Sequence, residues 1–363
     1  MKKFSSKKPI KTILVLITIL AVLIASTITG YHFTVKDMGA RPQIDDQAHN
    51  VILLIGDGMG FNHVEIASCL DTPAMTQIEV AATMTTLSLT PFPTDSAASA
   101  TAMATGYKSG NGRIAYSRGK KLTNMGQLIN ENGKNLGIIS TKSVTDATPA
   151  AFTAHNKSRN NHQEIALEQI RDTDIDVLFG LGREYFDSYL DEINTDDRAY
   201  VTSYQDLLQN DKEKVYGIFD EPIPTEGDFS LEGLTEIALD KLNDENGFFL
   251  MVEGAKIDTY GHSNDIDNML KEFWDFDRAV AVSLAYAEQN PNTTVIVTAD
   301  HETGNLHLPK ELSQDNIKDK LFKSGQHTYK PVPYFMSGPG ENSIPEKIDN
   351  TDIFHIVKQL LFG

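Results

Sequence analysis

Five short segments of this 363-residue chain are apolar throughout and rich in Val, Ile, Leu and Phe. Strands of this kind belong inside a sheet that is covered on both faces. These segments are residues 51–55, 136–140, 177–181, 248–252 and 294–298. Residues 332–336 predict one further strand late in the chain.

Helical patterns separate the predicted strands. They cover residues 123–131, 163–171, 231–242, 268–288 and 352–361. The alternation predicts an α/β fold, a three-layer sandwich with a central, mostly parallel sheet. We therefore expect a single domain over residues 50–363, after a linker over residues 31–49. Polar, irregular loop insertions are expected near residues 183–230 and 302–330.

The first thirty residues follow a different pattern, in which five lysines precede an apolar run over residues 12–25. This pattern is typical of a signal peptide or signal anchor. Ala21 and Ala25 have the spacing of a cleavage site, but no polar segment separates them from the apolar run, which favours an uncleaved anchor. Either alternative exports the protein, to be anchored at the extracellular face of the cell membrane or secreted. Cys69 is the only cysteine, so no internal disulfide can form.

Acidic side chains outnumber basic ones, 50 to 32. Residues 1–30 hold five of the lysines and no acids, so the remainder has 27 basic residues and a net charge of about −23. Nucleic-acid binding through a general basic surface is therefore excluded. A solvated surface accounts for most of the acids, but not for those that border the apolar strands.

Several polar residues directly follow predicted strands. Asp57 follows the first strand, residues 145–148 the second, Glu253 the fourth, and Asp300 with His301 the fifth. Because ligands bind beyond the carboxyl ends of parallel strands, we expect these side chains to share one rim of the sheet. The glycines around Asp57 match a dinucleotide-binding loop poorly, since its carboxylate would repel phosphate.

These residue types suit metal ions. Asp258 and His262 are four residues apart and can face one ligand, although each such pair could also be a salt bridge or a cap. Clustered carboxylates repel one another, and divalent cations relieve that repulsion. Mixed Asp/His sets suit zinc, whereas the oxygen set of Asp57, Thr148 and Glu253 suits magnesium. Two metals about 3.5 to 4 Å apart could clamp the attacking and leaving oxygens of a phosphoryl transfer.

A helix of small residues is predicted to begin at Ser96, after the proline-broken residues 91–93, with Asp95 or Ser96 as its N-cap. Either residue could be an N-cap and nothing more. Ser96 is also a candidate nucleophile, because the unpaired N–H groups and the dipole at a helix start favour an anionic substrate.

Five motifs together resemble the alkaline phosphatase family. They are LIGDGMG at residues 54–60, TDSAA at 94–98, DATPA at 146–150, VEGA at 252–255 with Asp258 and His262, and TADH at 298–301. They occur in the family's order and span residues 51 to about 327. The resemblance implies the fold of that family, two zinc ions and one magnesium ion.

The resemblance also implies a role for each candidate residue. Ser96 would be phosphorylated during turnover, and Arg159 would bind phosphate through two guanidinium nitrogens. One zinc would lie on Asp258, His262 and His327, with His307 and His355 as weaker matches for the third position. The other zinc would lie on Asp57, Asp300 and His301. Magnesium would lie on Asp57, Thr148 and Glu253, with Asp146 as a ligand or as an orienter of its waters.

The resemblance predicts hydrolysis of phosphate monoesters, and by analogy a possible homodimer. A phosphodiesterase or sulfatase of the same superfamily is one alternative, and a membrane-anchored binding protein without catalysis is another. Thr259 and Tyr260 depart from residues often found after the family's aspartate, which bears on phosphate contacts and pH optimum.

Overall fold

The computed structural model describes residues 41–363, so the predicted export segment and residues 31–40 of the predicted linker lie outside it. All six predicted strands are present, each within two or three residues of its expected bounds. The strands in this part of the chain are β1 (Asn50–Gly56), β2 (Val80–Thr85), β3 (Tyr116–Ser117), β4 (Lys120–Lys121), β5 (Asn135–Ser143), β6 (Val177–Leu181), β7 (Arg198–Val201), β8 (Lys214–Phe219), β9 (Phe248–Gly254), β10 (Thr293–Thr298), β11 (Val332–Ser337) and β12 (Lys347–Asp349).

Ten of these strands form one sheet in the order β12-β2-β11-β10-β1-β9-β5-β6-β8-β7. The seven strands from β10 to β7 run parallel, whereas β11 is antiparallel to both of its neighbours. All seven residues of β1 are buried, which agrees with its uninterrupted apolar sequence. The predicted mostly parallel sheet is confirmed.

Helices cover the sheet as expected. Within residues 41–363 they are α1 (Phe61–Leu70), α2 (Ser96–Thr105), α3 (Met125–Glu131), α4 (Ala147–Thr153), α5 (His162–Arg171), α6 (Leu190–Ile193), α7 (Tyr204–Leu208), α8 (Leu231–Leu242), α9 (Lys256–Ser263), α10 (Ile266–Gln289) and α11 (Asp352–Phe362). Helix α2 packs against α4 and α11, and α10 packs against α8 and α9, so two helical layers flank the sheet. No helix in the described part of the chain combines the length and apolar character needed to cross a membrane.

The expectation of irregular structure near residues 183–230 is wrong in part, because β7 and β8 lie there and extend the sheet beyond β6. Strand β8 contains Lys214 and Gly217 and so lacks a continuous apolar pattern. Strand β7 lies at the edge, where only alternate residues are buried. Residues 302–330 are irregular as expected, apart from two short 3-10 turns.

The described part of the predicted linker is not a free connector. The Ala48 N–H donates to the Leu360 carbonyl at 2.9 Å, and the Ile44 N–H donates to Gln359 Oε1 at 3.0 Å. Residues 41–49 are therefore tied to the last helix before the chain enters β1.

Candidate active site

The three central strands deliver their polar residues to one place. Strand β1 pairs in parallel with β9 on one side and β10 on the other, with Ile55 level with Glu253 and with Thr298. Asp57 and Asp300 follow directly. At the turn after β1, Gly58 has a φ of +76°, and a Cβ there would lie 2.9 Å from Asp258 Cα. A glycine is required at this position, because the chain turns sharply against the segment that carries Asp258.

Asp258, His262 and His327 form the first group, with ligand atoms that all lie within 4.8 Å of one another. His262 Nδ1 donates to the Gly325 carbonyl at 2.8 Å, and His327 Nδ1 donates to the Thr94 carbonyl at 2.7 Å. Carbonyls only accept, so the Nε2 of each ring presents a lone pair whenever that ring is neutral. These two nitrogens are 3.1 Å apart and lie 3.3 and 3.5 Å from Asp258 Oδ1.

Asp57, Asp300 and His301 form the second group, and all three are buried. His301 Nε2 lies 3.2 Å from Asp300 Oδ2 and 3.6 Å from Asp57 Oδ1. Within residues 41–363, neither of these carboxylate oxygens has a hydrogen-bond partner. Asp300 Oδ1, in contrast, accepts from the Gly58 and His301 amides at 3.0 and 2.9 Å.

Oxygen-bearing side chains also lie near Glu253. Its Oε2 accepts from Ser140 Oγ at 2.5 Å, and Glu253 is 2% exposed. Thr148 lies in the first turn of α4 with a buried hydroxyl that has no hydrogen-bond partner in the described residues. Asp146 is the N-cap of the same helix.

Burial and mutual repulsion shape the acidity of this rim. Burial, followed by the charges of Asp300 and Asp258, raises the pKa of Asp57 well above its usual range. Burial raises the pKa of Asp300 to about 6, although the Gly58 amide opposes the shift. Burial likewise raises the pKa of Glu253 to about 7 against the hydrogen bond from Ser140. The described side chains compensate these charges only in part, since the net shift of each of these three pKa values is upward.

This rim therefore fits divalent cations. Within each Asp/His group the ligand atoms lie close together and can direct lone pairs at one another. Three buried oxygens, on Asp57, Asp300 and Thr148, have no hydrogen-bond partner in the described residues. Such contacts are unfavourable unless a cation lies among them. Nitrogen with carboxylate oxygen matches zinc, and the oxygen set of Glu253 and Thr148 matches magnesium.

Ser96 is the first residue of α2. Asp95 is the N-cap, since its Oδ1 accepts from the Ala98 amide at 2.9 Å, so Ser96 is not needed for capping. Ser96 is 4% exposed, and its Oγ lies 3.3 Å from His301 Nε2. The hydroxyl thus reaches the second Asp/His group from the N-terminus of a helix.

Two carboxylates hold Arg159 beside the serine. Arg159 Nη2 lies 2.8 Å from Asp146 Oδ1, and Nη1 lies 3.5 Å from Asp95 Oδ2. Although burial opposes it, the charge of Asp146 raises the pKa of Arg159 further above its usual value. In return, burial tends to raise the pKa of Asp146, but the charge and hydrogen bond of Arg159 together with the Ala147 amide outweigh it and lower that pKa. The guanidinium is permanently charged and fixed in orientation.

The structure brings together the residues that the sequence singled out, apart from two histidines. His307 lies on the irregular segment and contacts Asn305 at 3.2 Å. His355 packs against Gly106, away from both Asp/His groups. Of the three histidines considered for the last position of the first group, His327 is the one that the structure places there.

Thr303 and Ser140 were missed by sequence reasoning. Thr303 Oγ1 donates to Asp258 Oδ1 at 2.5 Å and lies 3.2 Å from His301 Nδ1, so one hydroxyl joins the two Asp/His groups. Its position two residues beyond His301 was the only signal available. Ser140 ends a predicted strand, and nothing in its sequence context indicates a contact with Glu253.

The mostly parallel sheet and the two Asp/His groups at its rim fit a metal-dependent hydrolase. A family model described as alkaline phosphatase matches residues 48–319. Alkaline phosphatase 4 of Bacillus subtilis is 34% identical over 342 residues, which cover 85% of this chain and 73% of that protein. Alkaline phosphatase 3 of the same organism is 36% identical over 290 residues, covering 72% and 63%.

Solved structures agree. Alkaline phosphatase from the Antarctic bacterium TAB5 superposes with a TM-score of 0.78 at 31% identity, over 88% of this chain and 99% of that one. A cold-active alkaline phosphatase from a psychrophilic Shewanella gives a TM-score of 0.79 at 27% identity, over 86% and 100%. A variant of the TAB5 enzyme has been solved with magnesium bound. The chain belongs to the alkaline phosphatase family and is a phosphomonoesterase.

Proposed function

We propose that this enzyme transfers the phosphoryl group of a phosphate monoester first to Ser96 and then to water, with two zinc ions and one magnesium ion. The observation that carries the proposal is the position of Ser96 Oγ, 3.3 Å from His301 Nε2 at the N-terminus of α2. No other hydroxyl in the described residues combines contact with an Asp/His group with the start of a helix of this length.

In the first step, Ser96 Oγ gives up its proton to solvent and forms a bond to phosphorus, while the bond to the substrate oxygen breaks and that oxygen takes up a proton to leave as the alcohol. In the second, water gives up a proton and attacks phosphorus from the side opposite Oγ, the bond to Oγ breaks, and Ser96 regains a proton. The unpaired amides at the start of α2 face the phosphoryl oxygens during both steps. Asp95 keeps that helix start in place by capping it.

Arg159 is proposed to bind two non-bridging phosphate oxygens. Its contacts with Asp146 and Asp95 fix the plane of the guanidinium before substrate arrives. Pre-orientation reduces the entropy lost on binding and lets both hydrogen bonds form at once. A phosphodiester has one charged oxygen fewer than a monoester to accept hydrogen bonds from the Arg159 guanidinium, so we expect monoesters to be preferred.

The metal assignments follow the donor sets. One zinc is proposed on Asp258, His262 and His327, the other on Asp57, Asp300 and His301, and magnesium on Asp57, Thr148 and Glu253 with Asp146 as ligand or orienter of its waters. When bound, these cations would lower the pKa of the Ser96 hydroxyl and neutralise charge that develops on the leaving oxygen. Thr303 would hold Asp258 and His301 in their orientations.

A substrate comparison tests the proposal. Release of nitrophenol from 4-nitrophenyl phosphate should far exceed release from bis(4-nitrophenyl) phosphate, and a chelator should abolish it. Ser96→Ala should abolish phosphoenzyme formation while leaving the zinc content unchanged. A protein that binds zinc but hydrolyses neither ester, or a Ser96→Ala variant that still forms phosphoenzyme, would refute the proposal.

Export is also proposed, on the pattern of residues 1–30 alone. N-terminal sequencing of the mature protein distinguishes a cleaved signal peptide from an uncleaved anchor, because only cleavage yields a new N-terminus. A homodimer stays a prediction, which sedimentation of the purified protein tests.

A further inference from the structure

Strand β5 bulges at the edge of the proposed magnesium group. Ile139 pairs with Phe179 of β6, but the next paired residue is Ser143, opposite Leu181. Two extra residues on β5 therefore lie between these pairs, and bulges of this kind redirect side chains at the ends of strands. Within the bulge, Ser140 Oγ donates a hydrogen bond to Glu253 Oε2, and Thr141 Oγ1 accepts from the Ala255 amide at 2.9 Å.

Lys142 is the third residue of the bulge and is not accounted for by the reaction. It lines a cavity of about 410 Å³ together with Asp146, His162 and Tyr185. Its side chain is half-buried, and within residues 41–363 it makes neither an ion pair nor a side-chain hydrogen bond. The other half-buried lysines near the sheet behave differently. Lys214 is paired with Asp174 and Asp176, and Lys256 donates to the Ile223 carbonyl.

Lys142 lies beside the proposed magnesium ligands, because it lines the same cavity as Asp146 and its backbone N–H donates at 3.1 Å to Ser140 Oγ, the hydroxyl that contacts Glu253. Burial lowers the pKa of Lys142, but the charges of Asp57, Asp258, Asp146 and Glu253 together outweigh it, so the pKa is raised. The same ammonium lowers the pKa of Asp57, Asp146 and Glu253. No single carboxylate in the described residues forms an ion pair with Lys142, so the positive charge of its ammonium acts on all of these carboxylates at once.

We infer that Lys142 is a built-in counter-charge of the magnesium group, a positioning residue that sets how tightly the ion is held. The inference rests on the proposed function, since it concerns the ligands assigned there. The ammonium offsets repulsion among the carboxylates when the ion is absent. It opposes the ion when the ion binds, and so weakens magnesium affinity.

Lys142→Met tests this with little change in side-chain length. The magnesium affinity of the zinc-loaded protein is measured by titration calorimetry. The urea concentration at the midpoint of unfolding is measured separately, on chelated protein, from which a chelator has removed the metals. We expect magnesium to bind more tightly by on the order of tenfold, and the chelated protein to unfold at lower urea. Lys142→Arg, which keeps the charge, should remain near wild type in both measurements.

Lys120→Met is the matched control, because Lys120 is exposed on β4. The inference is overturned if Lys142→Met matches this control in both measurements. It is also overturned if the variant raises KM for 4-nitrophenyl phosphate while magnesium affinity is unchanged, since Lys142 would then bind substrate. If wild-type protein binds no magnesium, the proposed third metal is wrong, and the urea midpoint of the chelated Lys142→Met protein alone decides the role of Lys142.

Discussion

Two regions of this molecule hold buried carboxylates whose hydrogen-bonding surroundings differ. In α10, Asp277 accepts from the Ala74 and Met75 amides at 2.7 and 3.1 Å, one bond to each oxygen. Its neighbour Asp275 accepts from the Leu231 amide at 3.2 Å. At the rim of the sheet, Asp57 Oδ1 and Asp300 Oδ2 have no partner in the described residues.

The difference lies in what compensates the charge. Asp275 and Asp277 face the starts of a helix and a 3-10 turn, where unpaired amides supply positive potential. The rim carboxylates face one another and the lone pairs of histidines. A carboxylate that amides satisfy is part of the framework, whereas a buried carboxylate oxygen without a partner indicates a position for a cation.

Asp300→Asn is the substitution from which we expect the largest effect. We expect kcat/KM for 4-nitrophenyl phosphate to fall by at least about 10³-fold, because the substitution removes the charge of a proposed zinc ligand. The chelated protein should be as stable as wild type or more stable, since repulsion with Asp57 and Asp258 is relieved. Scanning calorimetry in chelator checks the second part, and a strongly destabilised variant would show that Asp300 belongs to the framework.

The next test concerns pH and metal removal. Asp300 and Glu253 have pKa values raised by burial to about 6 and about 7, from ordinary values of 3.8 and 4.5. Their stabilising effect is therefore complete below the ordinary values and is lost as the pH rises through 6 and 7. We expect the free energy of unfolding of the chelated protein to fall by roughly 3 kcal/mol between about pH 5 and pH 8.

Urea titrations at several pH values, with and without metals, measure this effect. Zinc and magnesium should remove most of the fall, because they compensate the ionised carboxylates. A fall of the same size in the metal-loaded protein would place its origin elsewhere.

Asp277→Asn makes the same substitution as Asp300→Asn, but at a buried carboxylate whose two oxygens both accept from backbone amides. Its new NH₂ group would oppose one of the two donor amides, so we expect a loss of about 2 kcal/mol in the free energy of unfolding. Activity per folded molecule should not change. Urea unfolding and active-site titration of the same sample separate the two effects, and a specific loss of activity would break the comparison.

Thr303→Val is expected to have the smallest effect. The isosteric change removes the hydroxyl that joins Asp258 to His301, so we expect about a tenfold loss in kcat/KM or in zinc affinity. Competition with a chromogenic chelator measures the affinity. Thr303→Ser keeps the hydroxyl and should restore most of the loss. Failure of serine to do so would point to packing of the methyl group instead.

The sheet was predictable where strands are apolar on both faces. Strands β1 and β9 carry uninterrupted apolar runs, and both were located closely. Strands β7 and β8 were missed because an edge position and Lys214 interrupt that pattern. Strand β2 was also missed, since its sequence VAATMT consists mostly of Ala and Thr, lacks a continuous apolar run and pairs with the distant strand β11.

Sequence by itself determined the residue types of the site and the strand ends at which most of them lie. It identified Ser96, Asp258, His262 and the three members of the second Asp/His group, because a motif or a position after a strand is a local property. Tertiary structure decided which histidine completes the first group, and that Asp95 caps α2 while Ser96 stays free. It also decided the roles of Thr303 and Lys142, because their partners come from distant segments that only the folded sheet brings within hydrogen-bonding or electrostatic range.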